Sequence, residues 1–236
     1  PVDFRDDRVV FTLGQDEPAY ALEIPVTVTT ATGPEEHIVV LDEPSQEFTL
    51  EAAGIGKLSV DPDCHLFRRL HPAEIEPTIS QVLADEDPVF VCQSAAPAME
   101  SAARNFAAGF SEKENFPFLA DGALPSGSHA SIVINPAGPL LKQVAPSDLI
   151  VSGTTLFLAG KRYSLKEFDL VFAAEDPDRP GVTNLVILCD STHRLEALAR
   201  RVGHYGKYSW LLLPVGQGKV LRGNWPVGVS PLMAVK

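Results

Sequence analysis

The stretch "NLVILCDSTHRLEALARRVGHYG", residues 184–206, decides how the larger part of this chain is read. Its first half is a short, uninterrupted apolar run, the pattern of a strand buried on both faces. Its second half repeats Leu195, Leu198 and Val202 at helical spacing, with Thr192 placed as the N-cap and Gly203 near the C-terminal end. A doubly buried strand running into a capped amphipathic helix is the unit of an α/β sheet.

Other segments repeat the pattern. "PVFVCQS" (88–94) reads as a buried strand, and "APAMESAARNFAAGFSE" (96–112) as a helix with Ala103, Phe106, Ala107 and Phe110 on its apolar side. "SIVINP", "DLIVSG", "FDLVFAAEDP" and "NLVILCDS" read as further strands of a mostly parallel or mixed sheet. "YSWLLLPVGQGKVLRGNWPV" adds one or two more, and Trp210, Trp225 and Phe172 read as core. Residues 87–236 are therefore expected to form a Rossmann-like α/β domain.

The N-terminal part reads differently. Leu22, Ile24, Val26 and Val28 alternate with polar positions, as in a strand with one buried face. Five such runs, with "ATGPEE" as a turn cluster, predict a small immunoglobulin-like β-sandwich over residues 1–64. Residues 65–86 are expected to be a linker helix. "HLFRRL" is a helical turn packing Phe67 and Leu70, and an amphipathic stretch follows through Ile75, Ile79 and Leu83.

The chain has 236 residues and a formal net charge of −12, which argues against nucleic acid or an anionic membrane as the main partner. No apolar run reaches the roughly 20 residues a bilayer span needs. The opening "PVDFRDDRVVFTL" reads as the middle of a longer chain. The three cysteines, Cys64, Cys92 and Cys189, are too scattered for a disulfide framework, and Cys92 and Cys189 sit in apolar runs as small hydrophobes.

"KLSVDPDCHLFRRLHPAEIEP" (57–77) is the richest store of metal-ligating residue types, with Asp61, Asp63, Cys64, His65, His71, Glu74 and Glu76. The spacing fits no zinc pattern, and adjacent Cys64 and His65 point apart. It is expected to be the polar surface of a junction, with no metal. "HPAE" at 71–74 lacks the H-E-x-x-H arrangement. No glycine-rich strand-to-helix turn is found that would cradle phosphates, so no cofactor is expected.

Open α/β sheets bind ligands at the carboxyl ends of their strands. Here that places Gln93–Ser94, Asn135, Ser152–Gly153 and Asp190–His193 at the candidate binding site, with Ser94, Asn135, Ser152, Asp190, Ser191 and His193 as its polar residues. A serine hydrolase using Ser191 and His193 is a further alternative, against which stands the commoner capping role of Ser and Thr at a helix start.

Two resemblances complete the reading. Through "ALEIPVTVTT", "HIVVLDEPSQEFTLEA" and "KLSVDPDCHLFRRL", residues 1–70 resemble the β-sandwich that follows the zinc catalytic domain in aminopeptidase-N-like metallopeptidases (gluzincins). Through "DLIVSGTTLFLAGKRYSL", "FDLVFAAEDPDRPGVTNLVILCDS" and "RLEALARRVGHYG" running into "YSWLLLP", residues 85–236 resemble an α/β domain sometimes appended to bacterial peptidase-like proteins. The family's zinc ligands and its "GxMEN"-type motif have no counterpart, so no catalytic residue carries over. The resemblance implies non-catalytic C-terminal domains of a larger peptidase-like protein, with a structural or interaction role. Their partner would be the catalytic domain of the same parent chain, or a peptide or protein. It also implies an extracytoplasmic location, while the free cysteines are compatible with the cytoplasm.

Overall fold

A computed structural model describes residues 1–94, 96–113, 115–120, 123–226 and 230–236. The chain combines helices with strands and falls into two compact units. One is Pro1–Ile75 joined by the C-terminal residues 230–236; the other is Glu76–Pro226. The second is thus inserted, in sequence, within the first. The last residues, expected in the α/β domain, belong to the first unit because Met233–Val235 pairs antiparallel with residues 57–59.

The first unit contains β1 (Val2–Phe4), β2 (Arg8–Gly14), β3 (Leu22–Thr30), β4 (Gly33–Leu41), β5 (Ser45–Glu51) and β6 (Lys57–Val60). They form two antiparallel sheets. One has the order β1-β2-β5, and the other runs from the C-terminal strand through β6 and β3 to β4. The alternation in β3 is observed as read: Ile24, Val26 and Val28 are buried. They meet Val9 and Phe11 from β2 and Val39 and Leu41 from β4 in one core. "GPEE", expected as part of a turn, belongs to β4, with Pro34 opposite Thr29 and Glu36 opposite Thr27. β4 is a sheet edge, where a proline without an N–H and exposed glutamates are tolerated.

Residues 65–70 form no helical turn. The Asp61 carboxylate accepts hydrogen bonds from the backbone N–H groups of His65 (2.7 Å) and Leu66, an alternative that competes with helix formation. Phe67 is fully exposed rather than packed.

The second unit contains α1 (Ile79–Leu83), β7 (Val89–Cys92), α2 (Pro97–Ser111), β8 (Phe118–Leu119), β9 (Ser131–Ile134), α3 (Gly138–Val144), β10 (Leu149–Ser152), β11 (Thr155–Leu158), β12 (Lys161–Ser164), β13 (Phe168–Glu175), β14 (Thr183–Leu188), α4 (Thr192–Arg201), β15 (Trp210–Pro214) and β16 (Leu221–Gly223). Seven strands make a mixed sheet of order β16-β15-β13-β14-β9-β7-β8. β14, β9, β7 and β8 are mutually parallel, and the other pairings are antiparallel.

Both faces of this sheet are covered, which explains the unbroken apolar runs. On one face Phe90, Ile132, Leu185 and Ile187 pack against Ala103 and Phe106 of α2 and Leu195 and Leu198 of α4. On the other, Val91, Val133, Val186 and Phe172 pack against Leu140 and Val144 of α3 and Leu156 and Leu158 of β11. "DLIVSG" is not a strand of this sheet. It forms β10 of a separate antiparallel sheet, β10-β11-β12, laid against the second face. Trp225 donates its indole N–H to Ala173 O (2.6 Å) and meets Phe172 edge-on. No helix among the described residues is long and apolar enough to cross a membrane.

Candidate functional site

The carboxyl ends of β7, β9 and β14 lie side by side. The chain leaves β7 for α2 on one face and leaves β9 for α3 on the other, so the strand order reverses direction between these two ends. A crevice outside such a reversal is the usual ligand position of open α/β sheets. Here it is a cavity of about 460 Å³, lined by Ser94, Met99, Asn135, Leu141, Thr154, Leu165, Lys166, Leu188, Cys189 and Asp190 among others. That volume falls in the range of small-molecule sites.

Each wall follows from local structure. Ser94 lies two residues past the end of β7, and its Oγ accepts the Ala96 N–H at 3.2 Å. Met99 comes from the first turn of α2 and Leu141 from α3. Val151, Gly153 and Thr154 come from the β10–β11 hairpin, and Leu165 and Lys166 from the turn between β12 and β13. The walls are mostly apolar and half-buried, while Lys166 and Asp190 are exposed charges at the rim.

The floor is held by Asn135. Its backbone has φ +49°, in the left-handed region that Asn tolerates better than most residues. Its N–H donates to Ile187 O at 2.8 Å. Its Oδ1 accepts the Cys189 N–H (2.8 Å) and its Nδ2 donates to Cys189 O (2.7 Å). The side chain thereby adds a rung to the β9–β14 ladder after the strands have ended.

Asp190 is set by α4. Arg194 grips the buried Asp169 through Nε (2.9 Å) and Nη2 (3.2 Å) and also donates to Asp190 Oδ1. Burial pushes the Cys189 thiol up to about 12, with neighbouring Asp169 adding to the effect, and its Sγ lies 3.3 Å from Ser191 O. Burial thus disfavours the thiolate of Cys189, which lines the cavity as a small apolar wall.

Of the residues named from sequence, Ser94, Asn135 and Asp190 meet around one cavity. Ser152 does not: it ends β10, exposed, while its neighbours Val151 and Gly153 contribute. Ser191, not Thr192, is the N-cap of α4, its Oγ accepting from Arg194 N at 3.4 Å. His193 is exposed two residues further on, and side chains at that spacing on a helix do not face each other. Lys166, Thr154, Met99, Leu141 and Leu165 were not foreseen. They reach the cavity through long-range packing of the β10–β12 sheet and the helices, which no local pattern signals.

A second groove, of about 620 Å³, includes Gln93, Ser126, Gln143, Asp178 and Arg179 in its lining. Its principal cation is engaged. Arg179 donates to Asp176, Asn184, Ser131 and the backbone oxygens of Gly127 and His129, so every guanidinium nitrogen has a partner. This arrangement pins the loop before β9 rather than awaiting a ligand.

The ligand-like stretch of the first unit is occupied by its own chain. Asp61 accepts from Arg68 Nε at 2.9 Å, and Arg68 forks onto Glu74 at 2.8 and 3.0 Å. Glu74 also accepts from His71 N (2.8 Å) and Ser230 Oγ (2.6 Å). These bonds, the Arg68 one foremost, outweigh burial and hold the Glu74 carboxyl down at about 2. Among the described residues, no group of three or more His, Cys, Asp and Glu side chains is arranged to hold a metal ion.

The sequence matches no protein-family model and no curated protein.

Proposed function

We propose that Glu76–Pro226 is a ligand-binding module, Rossmann-like in the loose sense, that takes a small amphipathic molecule at the carboxyl ends of β7, β9 and β14. The observation that carries this reading is the cavity of about 460 Å³ at the point where the crossovers change face. An apolar body would lie against Met99, Leu141, Leu165 and Leu188, with a polar end toward Ser94, Lys166 and Asp190. Binding rather than turnover fits the chemistry of the walls. Asn135 is engaged with the backbone and burial disfavours the Cys189 thiolate, while Ser191, outside the lining, serves as a helix cap.

A thermal-shift screen of the whole chain against amino acids, nucleotides and short peptides tests it. A specific ligand should raise Tm, and Leu165→Trp, which fills the cavity, should abolish the rise. A rise unaffected by Leu165→Trp, or none across the panel, counts against the proposal.

For the first unit we propose a small immunoglobulin-like β-sandwich with a non-catalytic role in a larger, aminopeptidase-N-like protein, packing on that protein's catalytic domain. Two sheets sharing one core, and the saturated Asp61–Arg68–Glu74 network at the "VDPD" turn, support a structural part. An H-E-x-x-H followed by a further Glu, encoded upstream of Pro1 in the natural gene, is the expected finding; an unrelated upstream domain would end this reading.

A further inference from the structure

The charge of this chain is unevenly placed. All 31 acidic side chains lie at or before Glu196, whereas Arg200, Arg201, Lys207, Lys219, Arg222 and Lys236 follow it. Five of these cations belong to the second unit, where α4 ends, β15 begins and the edge strand β16 closes the sheet. All five are exposed, and among the described residues none is in an ion pair.

Arg200 and Arg201 have an internal reason to be there: they sit in the last turn of α4, where cations favour the helix dipole. Lys207, Lys219 and Arg222 lie at no helix end of this kind. Two of the three are interleaved with aromatic rings. The Arg222 guanidinium lies 4.9 Å from the centre of the Tyr208 ring and 5.9 Å from that of Tyr205, and the Lys207 ammonium lies 5.3 Å from the Tyr208 ring. Stacking on a ring steadies a long cation while leaving its outer N–H groups open to a partner.

We infer that the surface formed by Tyr205, Lys207, Tyr208 and Arg222 is a docking surface for a short acidic segment of another protein. Tyrosine and arginine are the residues that anchor protein interfaces. The net charge of −12 decides against a nucleic acid. A duplex carries a charge about every 1.7 Å. A long duplex would extend beyond the patch into the field of a chain with 31 acidic against 19 basic side chains, whereas a short acidic segment feels mainly what lies within a Debye length of about 8 Å.

Fluorescence anisotropy of the whole chain with a labelled peptide of alternating Glu and Ala tests this, beside a Gln-for-Glu control and a single-stranded oligonucleotide of equal length. The acidic peptide should bind, weaken as salt rises, and lose about tenfold in affinity with Lys207→Glu/Arg222→Glu; the Gln control should not bind. Should that double variant fail to fold, the salt dependence and the Gln control still decide. Absence of acidic-peptide binding, binding unchanged by salt or by the folded double variant, or tighter binding of the oligonucleotide would overturn the inference.

Discussion

The side chain of Asn135 hydrogen-bonds both backbone groups of Cys189, at 2.7 and 2.8 Å, from a backbone position with positive φ. This joins the carboxyl ends of β9 and β14 and fixes the floor of the cavity. Asn135→Ala loses both bonds and puts a side chain without local hydrogen bonding at φ +49°. The expected cost is about 2–4 kcal/mol in urea unfolding. Asn135→Gly relieves the backbone and should recover part of it, so a Gly variant no more stable than the Ala variant would contradict the assignment.

Gly223 of β16 faces Trp210 of β15. A Cβ at Gly223 would lie 2.4 Å from the indole ring, closer than real contacts allow. Gly223→Ala must displace Trp210 from a tightly filled core. A loss of about 1–3 kcal/mol is expected, with a changed tryptophan emission spectrum. A wild-type melting curve would show that the ring has room to move.

The Arg68–Glu74 pair makes the first unit acid-sensitive. The folded Glu74 carboxyl is held at about 2 against an ordinary 4.5. Its contribution is fully present above the ordinary value and is lost as pH falls through that window toward 2. Glu74→Gln should lower stability at neutral pH by about 1–3 kcal/mol and flatten the acid limb of the stability profile. Parallel profiles for the two proteins would exclude Glu74 as the source.

His129 Nδ1 lies 2.9 Å from Asp85 Oδ1, and that hydrogen bond raises the histidine above its ordinary 6.5. With a raised folded value, the stabilisation is present below pH 6.5 and is lost as pH rises through the folded value. An NMR titration should place the His129 midpoint above that of a free histidine, and Asp85→Asn should return it. An unmoved midpoint would mean that the pair does not persist in solution.

What could be read from sequence is what short-range periodicity carries. Ile24, Val26 and Val28 announce a one-faced strand, and Leu195, Leu198 and Val202 announce a packed helix, because each pattern repeats the geometry of its own element. Three strand ends of the cavity were legible for the same reason, since Ser94, Asn135 and Asp190 each follow an apolar run. The direction of β13 was not, because a doubly buried strand reads alike whether its neighbours are parallel or antiparallel. Nor was the return of Met233–Val235 to the first unit, a three-residue pairing across the whole inserted unit. The sheet that holds β10 was also not legible, because Leu149 and Val151 suit either sheet and only the antiparallel pairing with β11 decides between them.

The most direct test of a ligand site at the carboxyl ends of β7, β9 and β14 is amide chemical-shift mapping of the whole chain with the strongest hit from the thermal-shift screen. Shifts confined to Ser94, Met99, Asn135, Thr154, Lys166 and Asp190 and their immediate neighbours are the predicted result. Shifts that leave these residues unmoved while perturbing other surfaces would contradict the account.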